Sequence, residues 1–274
     1  KGIMTIKIGL VQINNSFSGQ NYFPYSIGLL QAYAQKNLKH LKRFEFLLPI
    51  YSRIKIEEAV EHLKGADIIL FSAYVWNVRL SLKIAETVKL QKPEVLIVFG
   101  GPHVPDNGEE FLRKNTFVDI ACHKEGEKII CPLLENCAEK NWKEVPSISY
   151  LDQEGNYIQN PWAKRIKVLD EIPSPYTEGT FDALIEANPH ERWLLMWETN
   201  RGCPFSCTFC DWGSATQAKV NQFGLERLYK EIDWVREHQI EFIFCCDANF
   251  GILKRDFDIA KYAAGSKEKH GFPQ

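Results

Sequence analysis

Arg201-Gly202-Cys203-Pro204-Phe205-Ser206-Cys207-Thr208-Phe209-Cys210-Asp211-Trp212-Gly213 sets three cysteines in C-x3-C-x2-C spacing, a few residues after the apolar run Trp193–Trp197. An apolar run followed by a loop punctuated with Gly and Pro reads as a strand that delivers a ligand-bearing turn. Such a loop can curl until three sulfurs converge on one point. Thiolates suit an iron–sulfur cluster or a zinc ion. A structural zinc takes four protein ligands, whereas three leave a coordination position open for chemistry. Asp211 or His190 could complete a zinc set, so both readings stand on spacing alone.

Downstream of this loop, Leu225, Leu228, Ile232 and Val235 repeat at helical spacing within 223–237. A strand is expected over 241–245, followed by Cys246-Asp247-Ala248-Asn249-Phe250-Gly251 and a helix over about 255–265. Strand–loop–helix repeated twice is the opening of a parallel β/α barrel, in which chemistry sits at the carboxyl ends of the strands. Cys245 and Cys246 alternate across a strand, cannot share one site, and read as small buried hydrophobes. Only two β/α units precede Gln274, so the chain is expected to be the N-terminal portion of a longer polypeptide.

Upstream, residues 6–139 alternate short apolar runs with amphipathic stretches. Strands are expected over 6–13, 44–48, 67–72, 95–99 and 118–122, with helices over 25–35, 56–63, 78–90, 108–113 and 127–138. Val78, Leu82 and Ala85 share one helical face. This alternation predicts a parallel, doubly wound sheet whose ligand lies beyond the carboxyl ends of its strands. Those ends carry Asn14-Asn15-Ser16, Phe23 to Gly28, Ser72 to Asn77, Gly100 to Pro105 and His123 to Glu127. Neither G-x-G-x-x-G nor a Walker loop is among them, which argues against a dinucleotide or nucleoside triphosphate. A small hairpin is expected at 147–151 and 157–159, then a Pro-rich connector through Leu169-Asp170-Glu171-Ile172-Pro173-Ser174-Pro175-Tyr176.

Composition bounds the rest. The chain has 274 residues, enough for about two domains. A net charge of −2 offers no electrostatic case for nucleic acid. No stretch reaches the roughly 18 apolar residues of a membrane span, and residues 1–10 lack a signal-peptide pattern. Eight cysteines without a secretion signal suit a reducing cytoplasm.

The cysteine spacing, the preceding Arg201-Gly202 and the aromatic Phe209 resemble the radical S-adenosylmethionine (SAM) superfamily. The resemblance implies that Cys203, Cys207 and Cys210 hold a 4Fe–4S cluster whose fourth iron binds SAM, with Phe209 beside it. In that family a Gly-Gly-Glu loop after the second strand holds the SAM amino group. This chain departs from that pattern, and Asp247 and Asn249 are the analogous positions. The loops of residues 6–139 resemble the cobalamin-binding domain that precedes one class of these enzymes, best in Tyr25-Ser26-Ile27-Gly28, Gly100-Gly101-Pro102-His103 and Glu125-Gly126-Glu127. The Leu169–Tyr176 segment is similar to that class's interdomain linker. The Asp-x-His-x-x-Gly motif that ligates cobalt in other cobalamin domains is absent from this chain.

The expected organisation is therefore α/β: a Rossmann-like (flavodoxin-like) cobalamin-binding domain at 1–145, a hairpin and linker at 146–190, and a partial radical SAM β/α barrel at 191–274. The expected cobalamin contacts are Asn14, Tyr25, Ser26, Ser72, Tyr74, Trp76, Asn77, Gly100, Gly101, Pro102, His103, Glu125 and Gly126. Trp76, whose indole nitrogen is a donor only, is expected to cover the lower face of the corrin without ligating cobalt; packing at the start of the next helix is the alternative. Ser72 and Asn77 can bind the ligand or cap that helix, and for Glu125 the alternative is to complement the N-terminus of the next helix by its charge. The resemblance implies a cobalamin-dependent radical SAM methyltransferase acting on an unactivated carbon of a small-molecule or peptide substrate. The Cys210–Thr216 run and Asp247–Gly251 resemble members acting on antibiotics and modified peptides. An electron donor such as flavodoxin or ferredoxin is implied as a partner. The alternatives are a radical rearrangement or cyclisation with the same cofactors, a methyltransferase that uses the cluster for support only, and a zinc-stabilised binding protein.

Overall fold

A computed structural model describes residues 5–210 and 219–274. In chain order its strands are β1 (Ile6–Val11), β2 (Asn21–Tyr22), β3 (Phe44–Phe46), β4 (Ile68–Ser72), β5 (Leu96–Gly100), β6 (Ile120–Cys122), β7 (Ile148–Leu151), β8 (Tyr157–Gln159), β9 (Trp193–Trp197), β10 (Asn200–Arg201), β11 (Asn221–Gln222) and β12 (Ile243–Cys245). The helices are α1 (Tyr25–Asn37), α2 (Ile56–Leu63), α3 (Val78–Gln91), α4 (Glu109–Lys114), α5 (Glu127–Asn136), α6 (Asp182–Ala187), α7 (Leu225–Glu237) and α8 (Asp256–His270). The chain divides into two compact units. One holds the residues up to Asn15 together with Ser26–Arg165; the other holds Ser16–Tyr25 together with Ile166–Gln274.

The first unit is built on a sheet ordered β3-β1-β4-β5-β6-β7-β8. Its first five strands are parallel. Counted in their own chain order they run 2-1-3-4-5, the flavodoxin-like arrangement, and the order reverses between β1 and β4. Ile-Ile-Leu-Phe-Ser in β4 is buried at every position, as a parallel strand covered on both faces must be. Alternation along the strands divides the core in two. Val11, Ile69, Phe71, Ile97 and Phe99 face α2 and α3. Leu10, Ile68, Leu70 and Val98 face α1 and α5. The hairpin that the sequence reading set apart with the linker belongs here: β7 pairs antiparallel with β6, and β8 with β7.

In the second unit the sheet is ordered β12-β9-β2, all parallel. Its outer strand β2 comes from the segment after β1, which the sequence reading left as loop. Next to it, Phe23 is fully buried among Trp193, Phe181, Tyr176 and Trp234, its ring stacked at 4.5 Å on Trp193. A two-stranded antiparallel ribbon, β10–β11, clasps the neck of the cysteine loop, pairing Asn200 with Gln222 and Arg201 with Asn221. Helix α7 buries Leu228, Ile232 and Val235 as its spacing requires, and α8 packs beside it. Among the described residues no helix is long and apolar enough to cross a membrane.

Candidate functional site

At the switch point of the first sheet, the chain leaves β1 through Gln12, Ile13 and Asn14 and leaves β4 through Ala73 to Asn77. Gln12 and Asn14 are buried. Gln12 accepts a hydrogen bond from the Ile27 amide at 3.1 Å. Its own amide nitrogen, and that of Asn14, find no protein partner. Two buried donors left unmatched at the carboxyl end of a strand fit a polar ligand that supplies acceptors. Gln12 was missed in the sequence reading, although a glutamine interrupting the apolar run Ile8–Ile13 was a visible signal.

Asn77 is spent on scaffold. Its carbonyl accepts from the Tyr74 amide at 2.8 Å, and its nitrogen donates to the carbonyls of Ile13 at 3.0 Å and Ser72 at 2.9 Å. Both of its N–H donors are thereby used, so the expected contact with the ligand is replaced by a brace between the β1 and β4 loops. The brace presents Tyr74, Val75 and Trp76. The Trp76 indole stacks on Tyr74 at 4.6 Å, stays 41% exposed, and lies beside Val75, which is 75% exposed. Tyr74 in turn shares a hydrogen bond of 2.6 Å with Ser26. An aromatic ledge at a switch point suits a broad, flat ligand.

Beyond β5, the Gly100 carbonyl accepts from the Ala73 amide at 2.7 Å, and the His103 amide donates to the Ala73 carbonyl at 3.1 Å. Gly101 has φ +98°, and a Cβ there would sit 2.7 Å from the Ala73 oxygen. Its missing side chain therefore makes room for a neighbouring loop. Pro102 and His103 are exposed, and Glu125 and Gly126 are part-exposed at the start of α5. Between these loops His123 is 2% exposed. Its Nε2 lies 2.9 Å from the Ser149 hydroxyl, and burial lowers its pKa below the ordinary 6.5. Tyr25 departs from expectation. It lies in the second unit, stacked at 5.8 Å on Tyr176, and its buried phenol is pushed well up by desolvation and then by Glu198 and Glu231.

The cysteine loop leaves the carboxyl end of β9. The Asp247 carboxylate, just past β12, accepts from the Thr199 amide at 2.7 Å, the Thr199 hydroxyl, the Asn200 amide at 3.3 Å and the Asn200 side chain at 2.8 Å. Burial nevertheless raises its pKa, because desolvation outweighs those donors. Arg255 adds a bond to the Thr199 carbonyl at 2.7 Å, and Arg201 folds back on Glu198 at 2.9 Å. Held by these contacts, Cys203 is buried, and the Asn249 amide donates to its sulfur at 3.0 Å. Asp247 and Asn249, expected at SAM, thus hold the loop and a cysteine. Cys245 and Cys246 are partly buried, their thiols pushed up to about 12 by burial, which agrees with a packing role.

Cys207 and Cys210 are exposed and joined by a turn, the Cys210 amide donating to the Cys207 carbonyl at 3.1 Å. Phe209 is 91% exposed. Among the described residues no three Cys, His, Asp or Glu side chains come close enough to hold one ion, so the expected convergence of sulfurs is not seen. Cys203 is buried and tied to Asn249 while Cys207 and Cys210 are exposed, and a ligand set of this kind closes on its metal. The chemistry of the donors, three thiols in C-x3-C-x2-C spacing, fits an iron–sulfur cluster. His190 is exposed in the turn after α6; Asp211 and the run through Thr216 lie outside the described residues.

Comparison with known proteins matches residues 24–134 to the B12 binding domain family. Over 266 residues the chain is 39% identical to the cobalamin-dependent radical SAM methyltransferase TokK of Streptomyces tokunonensis, covering 94% of this chain and 39% of that protein. It is 38% identical over 257 residues to 2-(S-pantetheinyl)-carbapenam-3-carboxylate methyltransferase of Streptantibioticus cattleyicolor, covering 92% of this chain and 38% of that one. Among solved structures, the cobalamin-dependent SAM radical enzyme OxsB superposes with a TM-score of 0.71 at 22% identity, over 97% of this chain and 37% of that chain. The chain thus spans about two-fifths of the curated relatives it matches. The chain thus carries a B12-binding domain in its first sheet and is similar, on through the cysteine loop, to cobalamin-dependent radical SAM methyltransferases.

Proposed function

We propose that this chain supplies the cobalamin site and the cluster cysteines of a cobalamin-dependent radical SAM methyltransferase, with residues 1–145 as the cobalamin module and 191–274 as the opening of the catalytic barrel. The observation that carries the reading is the C-x3-C-x2-C loop leaving the carboxyl end of β9, with Cys203 held there by the Asn249 amide. When bound, the cluster and cobalamin supply reductive cleavage of SAM and carriage of a methyl group. The chain's own residues bind and orient. Cys203, Cys207 and Cys210 ligate iron. Gln12 and Asn14 would donate to polar groups of the cobalamin, and the Tyr74–Trp76 ledge would lie against it and keep water away. Gly100 to His103 and Glu125-Gly126 border the same ligand.

The first substrate class to try is a carbapenam carboxylate bearing an S-pantetheinyl group, the compound in one relative's name. A low-potential flavodoxin or ferredoxin in a reducing cytoplasm is the proposed electron source. The test is anaerobic reconstitution of the full-length protein with iron, sulfide and hydroxocobalamin, followed by incubation with methyl-labelled SAM. Iron and cobalt should both be retained, with 5′-deoxyadenosine released and label recovered in the product. One zinc and no iron would overturn the reading; label staying out of the product would move the reaction to a rearrangement.

A further inference from the structure

We propose that Asn249 sets the electron affinity of the iron–sulfur site through the hydrogen bond it donates to Cys203, and that Asp247 positions it to do so. This rests on the cluster reading above. The Asn249 Nδ2 lies 3.0 Å from the Cys203 Sγ. Of the three cysteine sulfurs this is the buried one, while Cys207 and Cys210 are exposed. A dipole aimed at a sulfur away from water acts with little screening. An N–H donor stabilises the more negative oxidation state, because the added electron is shared with the ligating sulfurs; hydrogen bonds to sulfur are among the determinants of cluster potentials.

The placement is built. Asp247, two residues before Asn249, receives the backbone and side-chain donors of Thr199 and Asn200, which lie four and three residues before Cys203. The loop after β12 and the loop after β9 are therefore joined at two levels, by a carboxylate and then by an amide on sulfur. Asn249 touches the ligating atom itself, whereas Asp247 is a positioning residue acting through the backbone.

The experiment is a potentiometric titration of the reconstituted full-length protein, followed by electron paramagnetic resonance before any SAM is added. Asn249→Leu removes the donor at similar size, Asn249→Ser leaves a hydroxyl too short to reach, and Asn249→Gln keeps an amide. At equal iron per protein, the leucine and serine forms should titrate at a more negative potential than the unsubstituted protein, with the glutamine form between them. Leucine and serine forms that retain iron and titrate with the unsubstituted protein would overturn the proposal, and a change confined to SAM affinity would place Asn249 on SAM instead. Loss of iron from the leucine and serine forms but not the glutamine form would show Asn249 holding the cluster rather than tuning it. An unsubstituted protein that takes up no cluster would sink the broader reading, an outcome distinct from an unmoved potential.

Discussion

Trp76 and Asn77 are neighbours in sequence with opposite roles, one presented and one consumed. Because Trp76 is open and Asn77 holds the loop beneath it, their substitutions should separate. Trp76→Ala is expected to change folding stability by about 0.5 kcal/mol or less, as open positions do, while weakening hydroxocobalamin binding by about tenfold; denaturant titration and absorbance titration read the two. Trp76→His should alter the cobalt absorption spectrum, since an imidazole nitrogen can ligate where an indole cannot. His123 gives a pH signature. Its folded pKa is lowered by burial, so the unfolded chain binds the proton more readily. Stability from this residue is complete above the ordinary 6.5 and declines as pH falls below it toward the lowered value. Replacement by Gln should flatten that slope in melts between pH 5 and 7, on the order of a Tm shift of a few degrees. The C-x3-C-x2-C spacing at the end of a strand and the position of Trp76 in the loop after β4 were visible from residue type and order. Tyr25, Asp247 and Gln12 were not, because what they do is decided by partners far along the chain.

At the scale of elements, the β4–β5 crossing depends on Gly101. Its φ of +98° and the 2.7 Å approach of the Ala73 carbonyl leave no room for a methyl group. Gly101→Ala should destabilise the first unit by about 1–3 kcal/mol, measured by denaturant unfolding, and should weaken cobalamin binding with it. Elements with enough residues to show a period were visible in the sequence: α3 buries Val78, Ala85 and Val88 on one side, and β4 is an unbroken apolar run. The two-residue strands β2, β10 and β11 were not, since a pair of residues carries no period; their strand character comes from the partner's backbone. The hairpin was recognised, but its home in the first sheet was hidden, because pairing with β6 is a tertiary choice.

Over the whole molecule, the chain crosses between its two units more than once, since Ser16–Tyr25 sits with Ile166–Gln274. Damage near the start of the chain should therefore be felt far downstream. Phe23→Ala removes a fully buried ring from the Trp193–Tyr176–Phe181–Trp234 group and should cost about 3–5 kcal/mol. Amide exchange should then speed up in residues 193–197 and leave residues 68–72 near their original rates; the reverse pattern would contradict the division. The same strand constrains how the protein is born. Asn21 and Tyr22 leave the ribosome about 170 residues ahead of Trp193 and Leu194, the partners they pair with. At roughly 5–20 residues per second, that stretch stays unmated for roughly 10 to 30 seconds, tethered at both ends to residues of the other unit.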